Sequence, residues 1–514
     1  MARWEFPIPV DRASDVPVYL QVARALAEDM RRGRLKPGDR LPGSRALAAG
    51  LSLNRNTVVA AYRELEAEGW ITGAEASGTF VSSDLPVNVP RAFGAVRHEV
   101  PGEPGFDLTP APRIGLDPVI PRGTLSFGTG LPDLRLIPVD ALARAYHRAI
   151  RRDSERVLAY HTCGRCVTAL VDGVYGAREL RAALAAMLAA TRRLAASWET
   201  VLVTRGAQMA IGLVARALLQ PGDVAALEEL GNLTAREAFR QTAARIELIP
   251  VDREGLDVGA VQALAEREPR LKVVSVTPHH QFPTTVTLSP GRRMQLLELA
   301  RRHRFAILED DYDHEFHYDA HPILPLASVD TAGVVVYVGT LSKILAPGLR
   351  LGYVVAPRPV VDRLAMLRVI ADRQGDLAGE VAVAQLLQNG DVMRHVRRMR
   401  SVYRSRRDFL AAALRRELGE ALRFSVPTGG MGVWAEADDG LDVDRWETLA
   451  REEGTSFYPG SAFALDMKPR TALRLGFSNL DESEILEAVR RLERARRRLA
   501  SSRFAPAAAA AAGR

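Results

Sequence analysis

VVVYVGTLSKILAPGLRLGY, residues 334–353, decides the fold of this chain. Its first seven residues form a continuous run rich in β-branched side chains, the pattern of a strand buried on both faces. Where the run ends, small hydroxyl residues and one lysine follow: Thr340, Ser342 and Lys343. A lysine at such a position suits Schiff-base chemistry with an aldehyde. Thr340 and Ser342 offer hydroxyls to a phosphate, and Arg350, seven residues beyond the lysine, offers a fork of donors. Lysine is also scarce. Of 69 basic residues only Lys36, Lys272, Lys343 and Lys468 are lysines. The rest are arginines, which keep their proton at neutral pH and make poor amine nucleophiles.

Six further runs of this kind surround it: VLVT (201–204), DVAALE (223–228), IELIPV (246–251), VVSVTP (273–278), AILED (306–310) and LGYVVA (351–356). Helix-length segments separate most of them, so the region reads as an α/β fold around a mostly parallel seven-stranded sheet. Sheets of this type bind ligands at the carboxyl ends of their strands. In VLVTRGAQMAI a strand turns into a helix, and the backbone N–H groups of Gly206, Ala207 and Gln208 make an anion site. In AILEDDYDHEF carboxylates follow a strand directly. A buried Asp paired with a pyridinium nitrogen keeps that nitrogen protonated and the ring an electron sink. Lysine, phosphate cradle and carboxylate together describe a site for pyridoxal 5′-phosphate (PLP), the cofactor expected here.

The N-terminal residues are organised differently. Val18–Met30 reads as an amphipathic helix ended by the Pro and Gly of RRGRLKPGDRLPGS. Ser44 is placed to cap a second helix from Arg45 to about Gly50. A third helix, Arg55–Glu68, carries Val58, Val59, Tyr62 and Leu65 on one face. Two strand-like ends, Gly69–Thr72 and Gly78–Val81, then form a wing. Helix, helix–turn–helix and wing is a DNA-reading architecture. From Val18 to Arg63 there are nine basic and three acidic residues, a local excess that fits phosphate contacts. Over residues 1–85 the counts are eleven and eleven, so the basic character is confined to that stretch.

At 514 residues, 47% hydrophobic and 25% charged, the composition is that of an ordinary globular protein of several domains. No run of 18 apolar residues suggests a membrane span, and MARWEFPIPVDRASD lacks the apolar core of a secretory signal. Two cysteines exclude a disulfide scaffold and suit a reducing cytoplasm, the expected location. The expected domains are a DNA-binding head at 1–82, a Pro/Gly-rich linker at 83–122, a PLP-binding domain at 123–499 and an Ala-rich tail at 500–514. A smaller C-terminal α/β subdomain is expected at about 385–499.

PVYLQVARAL, GRLKPGDRLPGSRALA, NRNTVVAAYRELEAEGWI and SGTFV resemble the winged helix–turn–helix of GntR-type regulators. The whole chain resembles the MocR/GabR-like group, in which such a head is joined through a long linker to a fold-type I aminotransferase-like domain. The resemblance implies that Arg45, Asn54, Arg55, Asn56 and Thr57 meet double-stranded DNA, with Gly78 at the wing tip. It implies Lys343 as the Schiff-base lysine, Asp310 on the pyridine nitrogen, and Tyr312 near the 3′-oxygen. Thr340 and Arg350 would hold the phosphate, and Arg474, in ALRLGFSN, would grip a substrate carboxylate. A homodimer is implied as well.

The chain also departs from the aminotransferases. HHQFPTT puts Phe282 where they carry an Asn before Pro, a form that resembles the regulators. EELGN puts Asn232 where many relatives stack an aromatic ring on the cofactor. An apparent insertion holds Cys163 and Cys166, with His161 nearby; lacking a fourth ligand, it reads as a loop rather than a zinc or redox site. His279 and His280 read as core groups, and no metal is expected. The leading reading is a PLP-dependent transcriptional regulator that senses an amine or amino acid through Lys343. A working aminotransferase with an accessory DNA-binding segment is the rival, and a sensor of PLP itself uses the same residues.

Overall fold

The computed structural model describes residues 8–12, 14–74, 78–86, 104–108, 120–128, 130–160, 172–319 and 323–503. The chain divides into two compact units, residues 1–110 and 111–514. Most of the expected linker, the loop with His161, Cys163 and Cys166, and the Ala-rich end from 504 lie outside the described residues.

In the first unit, helices Val18–Arg31, Ser44–Gly50 and Arg55–Ala67 precede a hairpin of Ile71–Ala74 with Gly78–Val81. Val58, Ala61, Tyr62 and Leu65 recur at helical spacing and are buried, whereas Val59 is only half-buried. They meet Val22, Leu26, Leu47 and Trp70 in one small core. Ser44 does not cap the second helix. It is the first helical residue, Gly43 takes the cap position without a side-chain bond, and the Ser44 hydroxyl lies 3.5 Å from Arg55 Nε. Asn54 caps the third helix, its Oδ1 accepting from the Asn56 N–H at 2.8 Å.

The second unit is built on a seven-stranded sheet. Its strands, in chain order, are β1 (Val201–Thr204), β2 (Val224–Glu228), β3 (Arg245–Ile249), β4 (Leu271–Val276), β5 (Ala306–Asp311), β6 (Val335–Thr340) and β7 (Gly352–Val355). Across the sheet the order is β1-β7-β6-β5-β4-β2-β3, and only β7 runs against its neighbours. β1, β2, β6 and β7 are buried throughout, as cover on both faces requires, whereas the edge strand β3 is mostly half-buried. β3 stops short of the IELIPV run because Pro250 has no N–H for the ladder. Val251–Asp252 pairs instead with Gly255–Leu256.

Two glycines let β7 pass the start of the helix after β1. A Cβ on Gly352 would lie 2.5 Å from the Gly206 carbonyl carbon, and Gly206 itself has φ 82°. The C-terminal part carries a second, antiparallel sheet of Leu422–Arg423, Gly432–Ala437, Ala472–Gly476 and Tyr458–Pro459, in that spatial order. Helices Asp391–Leu418 and Glu482–Arg503 pack with it, the last running four residues past the expected domain end. Among the described residues no helix is long and apolar enough to cross a membrane.

Candidate functional site

The carboxyl ends of β1, β2, β5 and β6 converge on a cavity of about 350 Å³. Ala207, Gln208, Asp310, Tyr312, Thr340, Lys343 and Arg350 line it. Lys36, Lys272 and Lys468 are all exposed, so Lys343 is the one lysine placed in an enclosed site. Burial pushes its amine down to about 8, against the opposing charges of Asp313 and Asp310.

Gly206 stays behind the wall, where its missing side chain makes room for Arg350. The guanidinium donates from Nη2 to the Arg205 carbonyl at 3.1 Å, and a Cβ on Gly206 would lie 2.9 Å from that nitrogen. Arg350 thus sits at the N-terminus of helix Ala207–Leu218, where free N–H groups and the helix dipole favour an anion. The Thr340 hydroxyl donates to Leu351 O at 3.2 Å and accepts from the Ser342 N–H at 3.1 Å, which turns Ser342 into the cavity.

Asp310 and Asp311 point to opposite faces because they are neighbours on one strand. Asp310 faces the cavity, and its Oδ1 is buried with no partner among the described residues. Burial, together with the Asp311 and Asp313 charges, pushes its carboxyl up to about 7. Asp311 turns away into a dense set of partners. Tyr337 Oη donates to its Oδ2 at 2.6 Å, and buried Arg192 and His314 lie at 3.5 and 3.3 Å. Burial alone would raise it, but His314 and Arg192 hold the Asp311 carboxyl well below its usual range. The Tyr312 hydroxyl donates to His280 O at 2.8 Å, leaving its oxygen lone pairs to accept.

Arg474 is fully buried but does not line the cavity. Its guanidinium carbon lies 5.0 Å from the centre of the Phe282 ring, which does line the cavity. Nη1 donates to Pro283 O at 2.6 Å, while Nε and Nη2 have no hydrogen-bond partner among the described residues. Asn232 also lines the cavity, its Oδ1 capping helix Leu233–Arg240 by accepting from Thr234 N–H at 2.9 Å. The loop therefore supplies an amide rather than a ring. Glu228, at the end of β2, went unnoticed in the sequence. It lines the cavity with Oε1 unpartnered, and burial pushes it up to about 8, so it is neutral near pH 7. Its signal was the one that marked Asp310, a carboxylate closing an apolar run.

In the first unit Arg45, Asn54, Arg55 and Asn56 are exposed and Thr57 is half-buried. Asn54 uses its side-chain oxygen as the helix cap, which leaves only its amide N–H₂ for a ligand. Gly78 is exposed and, as the first residue of the second strand, pairs with Ala74, while the turn at 75–77 lies outside the described residues. The sequence reading also missed Arg40. Its exposed side chain lies against Gly78, where a Cβ would come 2.9 Å from Nε.

The described groups suit PLP: an enclosed lysine, an unpartnered buried Asp oxygen, and a helix N-terminus that only glycine leaves open to Arg350. Residues 168–492 match the family of class I and II aminotransferases, and residues 18–81 match the bacterial gntR regulatory family. The first describes a PLP-dependent fold and the second a DNA-binding head, so the class is that of a regulator joined to an aminotransferase-like domain. The probable rhizopine catabolism regulatory protein MocR of Rhizobium meliloti is 30% identical over 97% of both chains. The HTH-type transcriptional regulator TauR of Rhodobacter capsulatus is 33% identical over 93% of this chain and 96% of its own length. Among solved structures, the α-aminoadipate aminotransferase LysN of Thermus thermophilus aligns with a TM-score of 0.67 and 31% identity. That alignment covers 74% of this chain and 94% of LysN. This chain belongs to the MocR-like family of GntR-type, DNA-binding transcriptional regulators.

Proposed function

We propose that the protein binds PLP at Lys343 and uses the aminotransferase-like domain to sense an amine or amino acid, whose presence changes the affinity of the head for DNA. One observation carries this reading: the single enclosed lysine faces the unpartnered Asp310 across a cavity bordered by Arg350 and the Ala207 helix start. The LysN structure supports it, having been solved with N-(5′-phosphopyridoxyl)-L-leucine, a PLP–amino-acid conjugate.

When bound, PLP supplies an aldehyde for amines and a ring that withdraws electrons. Arg350, the N–H groups of Ala207 and Gln208, and the Ser342 hydroxyl would hold the phosphate, joined by Thr340 once its hydroxyl turns from Leu351 O. Asp310 holds the ring-nitrogen proton, an opposite charge that lowers its own pKa and offsets the cost of its burial. Tyr312 would accept a hydrogen bond at its oxygen while its own O–H keeps donating to His280 O. Asn232, which lines the same cavity, would offer the cofactor an amide rather than a stacking ring. Arg474, with two nitrogens free of hydrogen-bond partners among the described residues, would grip an effector carboxylate once Phe282 moves aside. That guarded arginine favours a sensor over a fast enzyme.

Arg45, Arg55 and Asn56 contact DNA, with Gly78 beside the wing tip. The protein works as a homodimer in the cytoplasm, and a monomer by light scattering at micromolar concentration would refute the dimer. The main test is the visible spectrum of the PLP-loaded protein, with and without a panel of amines and amino acids. A band absent from Lys343→Ala, altered by an effector that also shifts operator binding, is the expected result. An undiminished effector response in Lys343→Ala would overturn the proposal.

A further inference from the structure

His279 alone reads as a core group, but the fold sets two more imidazoles against it. β4 and β5 are parallel neighbours, so the segments leaving their carboxyl ends run side by side. One carries His279, the other His314 and His317. One ring nitrogen from each of the three lies within 4.8 Å of the others. The rings meet edge to face, with centroids 4.8 Å apart for His279 and His314 and 5.3 Å for His314 and His317. None of the three lines the cofactor cavity.

The surroundings of the rings show which nitrogens are available to a ligand. His279 Nε2 bonds the Ile323 carbonyl, so that nitrogen carries the proton and Nδ1 carries the lone pair. His314 Nδ1 lies 3.3 Å from the Asp311 carboxylate without a formed hydrogen bond, and both of its ring nitrogens are buried with no hydrogen-bond partner among the described residues. His279 Nδ1, His314 Nε2 and His317 Nε2 are all buried without a hydrogen-bond partner among the described residues. A buried polar atom left unsatisfied is costly. A carbonyl and a carboxylate behind the ring are the usual orienting partners of metal-bound histidines.

We propose that His279, His314 and His317 bind a transition-metal ion of the Zn²⁺ or Co²⁺ class, with a fourth position open to water. Three imidazoles suit such ions and not Mg²⁺ or Ca²⁺, which take oxygen ligands. With Zn–N near 2.0–2.1 Å, tetrahedral ligand nitrogens stand roughly 3.4 Å apart, so the rings close in by under about 1 Å each.

The test uses the full-length protein, treated with chelator, dialysed and reloaded with Zn²⁺ or Co²⁺. Metal per chain is measured for the wild type, for Cys163→Ser/Cys166→Ser, and for His314→Asn/His317→Asn. The expected result is one ion per chain in the first two, and affinity lower by roughly tenfold or more in the histidine variant. That variant should still show its lysine-dependent PLP band, which reports an intact fold. If it loses the band, the wild-type Co²⁺ spectrum decides: a tetrahedral spectrum without thiolate charge transfer supports the histidines. A thiolate band, loss of the ion in the cysteine variant, or no stoichiometric binding to the wild type would overturn the proposal.

Discussion

Asp310 and Lys343 shape each other's chemistry, since each charge stabilises the other across the same cavity. With its amine at about 8, Lys343 has a growing neutral fraction as pH rises from 7 to 8. The lysine-dependent band should therefore form faster with rising pH and level off above about 8, as stopped-flow mixing with PLP would record. Asp310 makes the opposite demand on the cofactor-free fold. Burial raises it from its usual 3.8 to about 7, so its stability contribution is complete below pH 4 and lost as pH rises through 7. Cofactor-free Asp310→Asn should then be more stable than the wild type at pH 8 by roughly 1–2 kcal/mol, because the amide brings no charge into that buried position. The gain should vanish near pH 4, and PLP affinity should fall at every pH. A calorimetric comparison at the two pH values checks the sign.

The turn from β1 into helix Ala207–Leu218 stands on backbone that only glycine tolerates. Gly206→Ala combines a positive φ with a contact to Arg350, so PLP affinity should fall roughly tenfold or more, with a loss of about 1–3 kcal/mol in stability. Titration of PLP against absorbance, alongside a melting curve, separates the two effects. In the head, the third helix presents Arg55 beside a cap already made by Asn54. If Arg55 meets a phosphate, Arg55→Ala should weaken all sequences alike and lower the salt slope by about one; if it reads a guanine, the loss concentrates on one base position. Operator binding at several salt concentrations distinguishes these outcomes.

At the scale of the whole molecule, regulation requires an effector to prefer one DNA-binding arrangement over another. The coupling must be reciprocal. An effector that changes operator affinity by some factor, commonly 5–150-fold, must see its own affinity changed by that factor when operator DNA is present. Fluorescence titration of DNA with and without effector, and of effector with and without DNA, closes this cycle. Unequal factors would show that the two measurements do not report one equilibrium. Phe282→Asn, which removes the ring lying against Arg474, should strengthen binding of carboxylate-bearing effectors more than that of plain amines.

The sheet was legible in the chain because strands buried on both faces leave long β-branched runs, and each of the seven runs overlaps a sheet strand. Lys343 was legible because lysine is scarce and follows one of those runs. The head was legible because helical spacing, Pro and Gly breaks and a hairpin occur in order over a short span. Other features depend on contacts between residues far apart in sequence. Which face of β5 meets the cavity, and so which of Asp310 and Asp311 does, depends on packing against Arg192 and Tyr337. Phe282 lies against Arg474 although 191 residues separate Pro283 from that arginine. The triad of His279, His314 and His317 arises only where two parallel strands end side by side. Local pattern determines elements, because periodicity and turn chemistry act over a few residues. Juxtaposition is a property of the folded sheet, and tertiary structure alone decides it.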